Sequence, residues 1–440
     1  MPEPWFDELS ELIAIPSVSA DLTHAADVRR AAEWVRDFVV RAGGDAALVE
    51  TAKQPLVIGE IRASHDAASA PTVLCYCHFD VQPPAPLELW ESDPFALVER
   101  DGWLYGRGVT DDKGQLYIVL SAVRKLAAEG RLPVNIRIAF DGEEETGGTS
   151  IGDFVSRDDG PADVCLILDG GMTERDKPEF TIATRGLIAF DIRVRTGSSD
   201  LHSGLFGNAG LNAIHALMEC LGAILPRGGR LPKALRAGIA EPPAEEVAGW
   251  AALKPGSEIL AEGGIAPYDE LAAEEFYRRT WAEPSAEVNG IQAGKPILNT
   301  TLISSAHANF TLRLAPGQDP DEIAAAVRRL IGEAAPAGAE IELELVQAAR
   351  PGIVDPEARA VQLGLDAFER SLGVRPLLVR VGGTMPVLGA LIDRGVPTIM
   401  TGFGLLESNV HAPNERMPVE YIPRGIAAVE ELFVALGDLR

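Results

Sequence analysis

Apolar positions along this chain follow two rhythms. Up to about residue 185, short apolar blocks alternate with helical stripes: PTVLCYC at 71–77, VNIRIAF at 134–140 and VCLIL at 164–168. Strands of this kind are buried on both faces. A further strand is predicted near 55–62. One helix is predicted over 25–41, stopped by Gly43-Gly44, and another after Lys113-Gly114. The VCLIL strand is expected to end at Asp169. Strands alternating with helices predict a sheet between helices.

From about residue 186 the rhythm becomes strict alternation. Ile188, Phe190, Ile192 and Val194 share one face of LIAFDIRVRT, and HANFTLRLA and AEIELELV alternate likewise. Half-buried antiparallel strands read this way. With a strand near 286–291, a helix carrying Leu211, Ile214, Leu217, Met218 and Leu221, and a second helix opened by Asp319-Pro320, the order is β-α-β-β-α-β. Asp319 is the expected N-cap and Glu322 stands at the capping-box position. The segment near 226–284 has no clear period, but its apolar content predicts an ordered insertion. After Arg350 the first rhythm returns, with PLLVRV, a helix near 385–394, VPTIMTGFG and a terminal helix. The predicted fold is a discontinuous α/β domain, 1–185 and 349–440, with a mixed sheet between helices. A ferredoxin-like α+β domain is inserted at 186–348.

Size and charge narrow the class. A chain of 440 residues exceeds one ordinary hydrophobic core. With 39 basic and 65 acidic residues the net charge is −26, which disfavours nucleic acid and anionic membranes as partners. No apolar run reaches the roughly 18 residues of a membrane span. The opening MPEPWFDELSELIAIP has no basic segment leading into an apolar block. The four cysteines, Cys75, Cys77, Cys165 and Cys220, lie in apolar or helical runs with no zinc-site spacing. They read as buried thiols of a reducing compartment, and the expected location is cytoplasmic.

Polar residues cluster where the apolar blocks stop. His78 and Asp80 follow PTVLCYC. GRGVTDDKG occupies 106–114, DGEEETGG 141–148, Asp169 ends VCLIL, and NVHAPNE occupies 409–415. Singly, each has a bland reading: an acidic loop, a glycine turn, a surface histidine. Together these readings leave His78 and Asp80, beside an apolar block, without partners, and burying unpaired polar groups costs free energy. In open α/β folds ligands bind beyond the strands' carboxyl ends. Two imidazoles and several carboxylates suit zinc, cobalt or manganese. The set is large enough for two ions sharing a carboxylate, roughly 3.5–4 Å apart, with Asp80 fixing the tautomer of His78.

HFDVQP, WESDPFALVERDGWLYGRGVTDDKG, GEEETGG, SDLHSG and the late His411 resemble the aminoacylase- and carnosinase-type co-catalytic zinc peptidases, most closely the carnosinase-like dipeptidases. The resemblance spans nearly the whole chain. It implies that Asp111 bridges two divalent ions, zinc first and manganese or cobalt as alternatives. His78 and Asp169 would complete one site, Glu145 and His411 the other. Glu144 would be the general base acting on a metal-held hydroxide, and Asp80 would orient His78. The peptide after Asp111 is often cis in that family. The inserted domain would be a lid and dimerisation domain, with His202 reaching the partner protomer's active site in a homodimer. Asn299 would contact substrate. Arg313 and Arg380 are candidates for the substrate's free carboxylate through their fork geometry, with Gly382, Gly383 and Thr384 offering further contacts. One departure stands out: Gly170 follows Asp169 where many relatives have asparagine. The expected reaction is hydrolysis of a dipeptide or short-peptide amide bond. The alternative is an N-acyl- or N-carbamoyl-amino-acid amidohydrolase on the same scaffold. A non-catalytic binding protein would have lost a ligand or the base, and none is missing. No GxSxG or other nucleophile constellation competes.

Overall fold

The continuous apolar blocks form the middle of a mixed sheet. In the computed structural model, which describes residues 4–439, its strands lie in the order Asp45–Val49, Leu56–Ile61, Asn135–Phe140, Thr72–Tyr76, Val164–Glu174, Thr398–Gly404 and Lys177–Thr184. The four from Asn135–Phe140 to Thr398–Gly404 are mutually parallel, so their carboxyl ends share one edge. Every residue of Thr72–Tyr76 is buried, as coverage of both faces requires. The helix Ala25–Arg41 packs on the first two strands. Lys113–Ala128 packs on Val164–Glu174, and Arg359–Leu372 on Thr398–Gly404. A small sheet of Val98–Arg100, Trp103–Tyr105 and Arg416–Pro418 lies apart from the main one, and its short strands carry too little pattern to be read beforehand.

The alternating segments form a second sheet, antiparallel throughout, in the order Ser285–Ala293, Ser305–Leu314, Gly186–Arg195, Glu340–Ala349. Numbered along the chain this is 2-3-1-4, the split βαβ arrangement. One face carries the core. Phe190 stacks on its register partner Phe310 with ring centroids 5.3 Å apart. Such a pair adds about 0.5–1.5 kcal/mol beyond its buried area. Helices Ala213–Gly222 and Pro320–Ala334 contribute Leu217, Leu221, Ile323 and Val327 to this core. Asp319 caps the second helix by accepting from the amides of Asp321 and Glu322. Met218 departs from expectation. The buried stripe is Ala213, Ala216, Leu217, Cys220 and Leu221, and Met218, one step round the helix from Leu217, is 64% exposed.

The chain divides into two units. The first comprises residues up to Ile182, Val354–Val379 and the chain from Pro386 on; the second is Ala183–Ile353 with Arg380–Met385. The second therefore runs a few residues beyond 186–348 at each end. It also takes in a stretch, RVGGTM, whose glycines carry no periodic signal. The 226–284 segment contains helices Ala244–Gly249 and Gly256–Glu262 and short 3₁₀ and π turns. All four cysteines are free and buried. Among the described residues no helix is long and apolar enough to cross a membrane.

Candidate metal centre

His78 sits just past the buried strand Thr72–Tyr76, and its bridge to Asp141 continues the parallel pairing with the neighbouring strand. The ring is fully buried. Its Nδ1 lies 3.1 Å from the Asp80 carbonyl oxygen and 3.3 Å from the Asp80 carboxylate. Nδ1 therefore carries the hydrogen, and Nε2 is turned toward Asp111 Oδ1 at 3.0 Å and Asp169 Oδ1 at 3.8 Å. Asp80 has a second task that sequence did not reveal. Its carboxylate accepts from the amides of Glu144 at 3.3 Å and Glu145 at 3.1 Å, so it also fixes the acidic turn.

Asp169 is not the end of its strand. The strand runs on to Glu174, and the register with Thr398–Gly404 pairs Thr401 with Leu168 but Gly402 with Gly170. Asp169 is thus the extra residue of a β-bulge, a device that re-aims a side chain. This accounts for Gly170: a Cβ there would meet the Thr401 carbonyl oxygen at 2.8 Å. Asparagine would need a wider gap between these strands.

Asp111 follows a loop of mostly buried residues and precedes the helix Lys113–Ala128; the Asp111–Asp112 peptide is cis. Its two oxygens diverge. Oδ1 faces His78, and Oδ2 lies 2.8 Å from His411 Nε2, which is also 3.1 Å from Glu145 Oε2. His411 holds a left-handed backbone, φ 64°, which is uncommon outside glycine and is seen at functional positions. Gln82 holds Glu145: its side-chain amide donates to Oε2 at 2.8 Å and its backbone N–H to Oε1 at 3.1 Å. Gln82 stands in HFDVQP, yet only the structure shows its role.

Two triads result, His78–Asp111–Asp169 and Asp111–Glu145–His411. Within each, the candidate ligand atoms lie within 4.8 Å of one another, and Asp111 belongs to both. The donor chemistry fits divalent cations of the zinc type: one imidazole nitrogen and two carboxylates per triad. The electrostatics agree. Burial, and then the negative charges of Asp111, Glu144 and Glu145, push Asp169 well above the carboxylate range. Burial also raises Glu144, to about 7, helped by Asp80, Glu145 and Asp111. Hydrogen bonds that His411 donates to the Asp111 and Glu145 carboxylates raise it to about 10. Burial alone would lower His78, but Asp111 and Asp80 hold it well above the usual imidazole value. Burial opposes ionisation of Asp111 too, and both imidazoles override it downward. A cluster that holds protons this tightly carries excess negative charge, which divalent cations would neutralise.

The other expected residues lie in the second unit and join neither triad. His202 is exposed, on a two-residue strand paired with Thr301–Leu302. The Gly204 amide donates to its Nδ1 at 3.0 Å, so the neutral ring carries its hydrogen on Nε2. Asn299 and Gly383 are exposed. Arg313 donates to the Thr384 hydroxyl at 2.7 Å and has no carboxylate partner among the described residues. Arg380 does not fit its expected role. Its fork is taken up by Glu246, with Nη2 2.8 Å from Oε2, and both side chains are buried. Glu246 lies in the aperiodic insertion, where no pattern announced it.

Residues 74–435 match the family described as Peptidase family M20/M25/M40. A cysteinylglycine-S-conjugate dipeptidase of Corynebacterium striatum is 30% identical, covering 99% of this chain and 96% of its own length. A Beta-Ala-His dipeptidase of Mus musculus is 26% identical, over 82% of this chain and 76% of its own. Among solved structures, the M20 family metallo-carboxypeptidase Sso-CP2 of Sulfolobus solfataricus superimposes with a TM-score of 0.86 at 24% identity, covering 99% and 100% of the two chains.

Proposed function

The chain belongs to peptidase family M20/M25/M40, on the side of the carnosinase-like dipeptidases, and from that premise we propose that it is a metal-dependent dipeptidase. The substrate would be a dipeptide or short peptide with a free carboxylate. One observation carries the reading: Asp111 turns one oxygen to each of two donor triads. His78, Asp111 and Asp169 would hold one cation and Asp111, Glu145 and His411 the other, with zinc first and manganese or cobalt as alternatives. Bound there, such ions lower the pKa of water and polarise a carbonyl.

The chain's own groups do the rest. In the metal-free chain burial raises Glu144 to about 7, and because it belongs to neither triad its carboxyl is free to take and give protons. It takes the proton of the attacking water and delivers it to the leaving amine. Asp80 fixes the turn that carries Glu144 and the ring of His78. We assign Arg313, Thr384 and Gly383 to the substrate carboxylate, supported by Arg313 having no carboxylate partner among the described residues. Asn299 is assigned a further substrate contact. His202, with its hydrogen on Nε2, is suited to donate to a developing oxyanion, from the partner protomer of a homodimer. The four buried free thiols accord with a cytoplasmic enzyme.

The test is hydrolysis of a mixed panel, dipeptides beside N-acetyl and N-carbamoyl amino acids, with chelator and after restoring Zn²⁺ or Mn²⁺. Chelator-sensitive cleavage confined to dipeptides is expected. Cleavage of the acylated amino acids alone would replace the substrate class and keep the metals. No cleavage with any metal would turn the reading to a binding protein.

A further inference from the structure

Glu415 is fully buried and belongs to neither triad. Its Oε2 accepts from Arg107 Nη1 at 2.7 Å and the Gly108 amide at 2.9 Å. Its Oε1 accepts from the amides of Thr110 at 2.9 Å and Asp111 at 3.1 Å. A carboxylate offers about four lone-pair sites, so these donors saturate it. Arg107, buried as well, turns Nη2 to the carbonyl oxygens of Ala412 at 3.2 Å and Pro83 at 3.4 Å.

These bonds reach three segments; all three bear on the Asp111–Glu145–His411 triad, and only the hold on the shared Asp111 bears on the other triad as well. The amide of Asp111 is held directly. Ala412 follows His411, whose left-handed backbone needs outside support. Pro83 follows Gln82, which grips Glu145. His78 and Asp169 are held elsewhere, by Asp80 and by the strand bulge. We propose that Glu415, with Arg107, is the positioning residue of the Asp111–Glu145–His411 triad, setting that cation's affinity and leaving the His78–Asp111–Asp169 cation largely to its own supports. This rests on the two-cation reading above.

The test strips the purified full chain with chelator and titrates it with Co²⁺ by visible absorption and with Zn²⁺ by calorimetry. The wild-type protein should take up two ions. Glu415→Gln keeps the shape but sets an NH₂ against N–H donors. It should keep one ion near wild-type affinity and weaken the other by about 10–100-fold, the usual effect of losing an outer hydrogen-bond partner. The retained ion's spectrum should match that of His411→Ala and differ from that of His78→Ala. If Glu415→Gln fails to fold, Arg107→Lys decides: it keeps the positive charge, cannot span both carbonyls, and should weaken the same ion. A merely structural pair predicts a lower melting temperature with both affinities unchanged, and that result, or equal loss at both ions, overturns the inference alone. A wild-type protein that binds no cation overturns the two-cation reading and the inference with it.

Discussion

His78 and Asp111 in the first unit are 3.0 Å apart, and His307 and Asp191 in the second are 2.6 Å apart. The residue types are the same and the distances similar, yet the surroundings differ. Around His78 stand Asp80, Asp169 and, beyond Asp111, Glu145, with His411 as the other cationic partner. No lysine or arginine pairs with these carboxylates among the described residues. Asp191 is already balanced: Arg193 lies 3.2 Å from its other oxygen and 3.7 Å from Glu342. The second pair is also more open, with side chains 30% and 18% exposed, and it joins no metal-binding group. A histidine beside an aspartate does not by itself suggest a metal site. What sets the candidate centre apart is unbalanced negative charge held out of water by the fold.

The two pairs should differ most at Asp111, which belongs to both triads. Asp111→Ala should abolish uptake of both cations and with it turnover, whereas Asp191→Ala should leave both intact; metal analysis after dialysis measures this. Glu144→Gln comes next. It should lower kcat by about 10²–10⁴-fold with metal content unchanged, because it removes a proton carrier and no ligand. Retained turnover would exclude Glu144 as the base.

The two regions should also part in their response to pH. In the metal-free protein Glu144 titrates at about 7 against 4.5 for the free group, so the folded state binds the extra proton between these values. Stability from that source is lost as pH rises through about 7. His411, raised from 6.5 to about 10, acts with the same sign: its contribution is full below 6.5 and is lost as pH rises through about 10. Cations take the place of these protons, so the rise in melting temperature on adding Zn²⁺ should be larger at about pH 8 than at about pH 6. A rise independent of pH would mean that the ions bind elsewhere. The smallest effect is expected in the balanced pair. His307→Ala should cost about 0.2–1 kcal/mol, as for partly exposed ion pairs, and leave kcat/KM unchanged.

Much of the centre was legible because its residues sit where buried apolar blocks stop, and a polar side chain there needs a reason. His78, Asp111, Glu145, Asp169 and His411 announce themselves this way. What is illegible in the sequence depends on pairing between distant segments. The bulge at Asp169 exists only in register with Thr398–Gly404. Glu415 was visible in NVHAPNE and Arg107 in GRGVTDDKG, but 308 positions separate them and neither stretch names the other. The Arg380–Glu246 pair was illegible for the same reason, since Glu246 stands in a segment without a period. The domain rhythm was readable because alternation and continuous burial are local signatures. The stretch Arg380–Met385 crosses to the second unit without one.

The Arg107–Glu415 link also has a consequence for how the molecule is made. Translation delivers the chain from its N-terminus at roughly 5–20 residues per second. His78, Asp111, Glu145 and Asp169 emerge early, and the two remaining parts, His411 and Glu415, emerge more than 200 residues after Asp169. A nascent chain thus exposes an incomplete set of ligands for much of its synthesis. The Asp111–Glu145–His411 triad is complete only when residues 409–415 have left the ribosome and docked on residues 107–111, so assembly of that half of the candidate centre is a late step in the birth of the molecule.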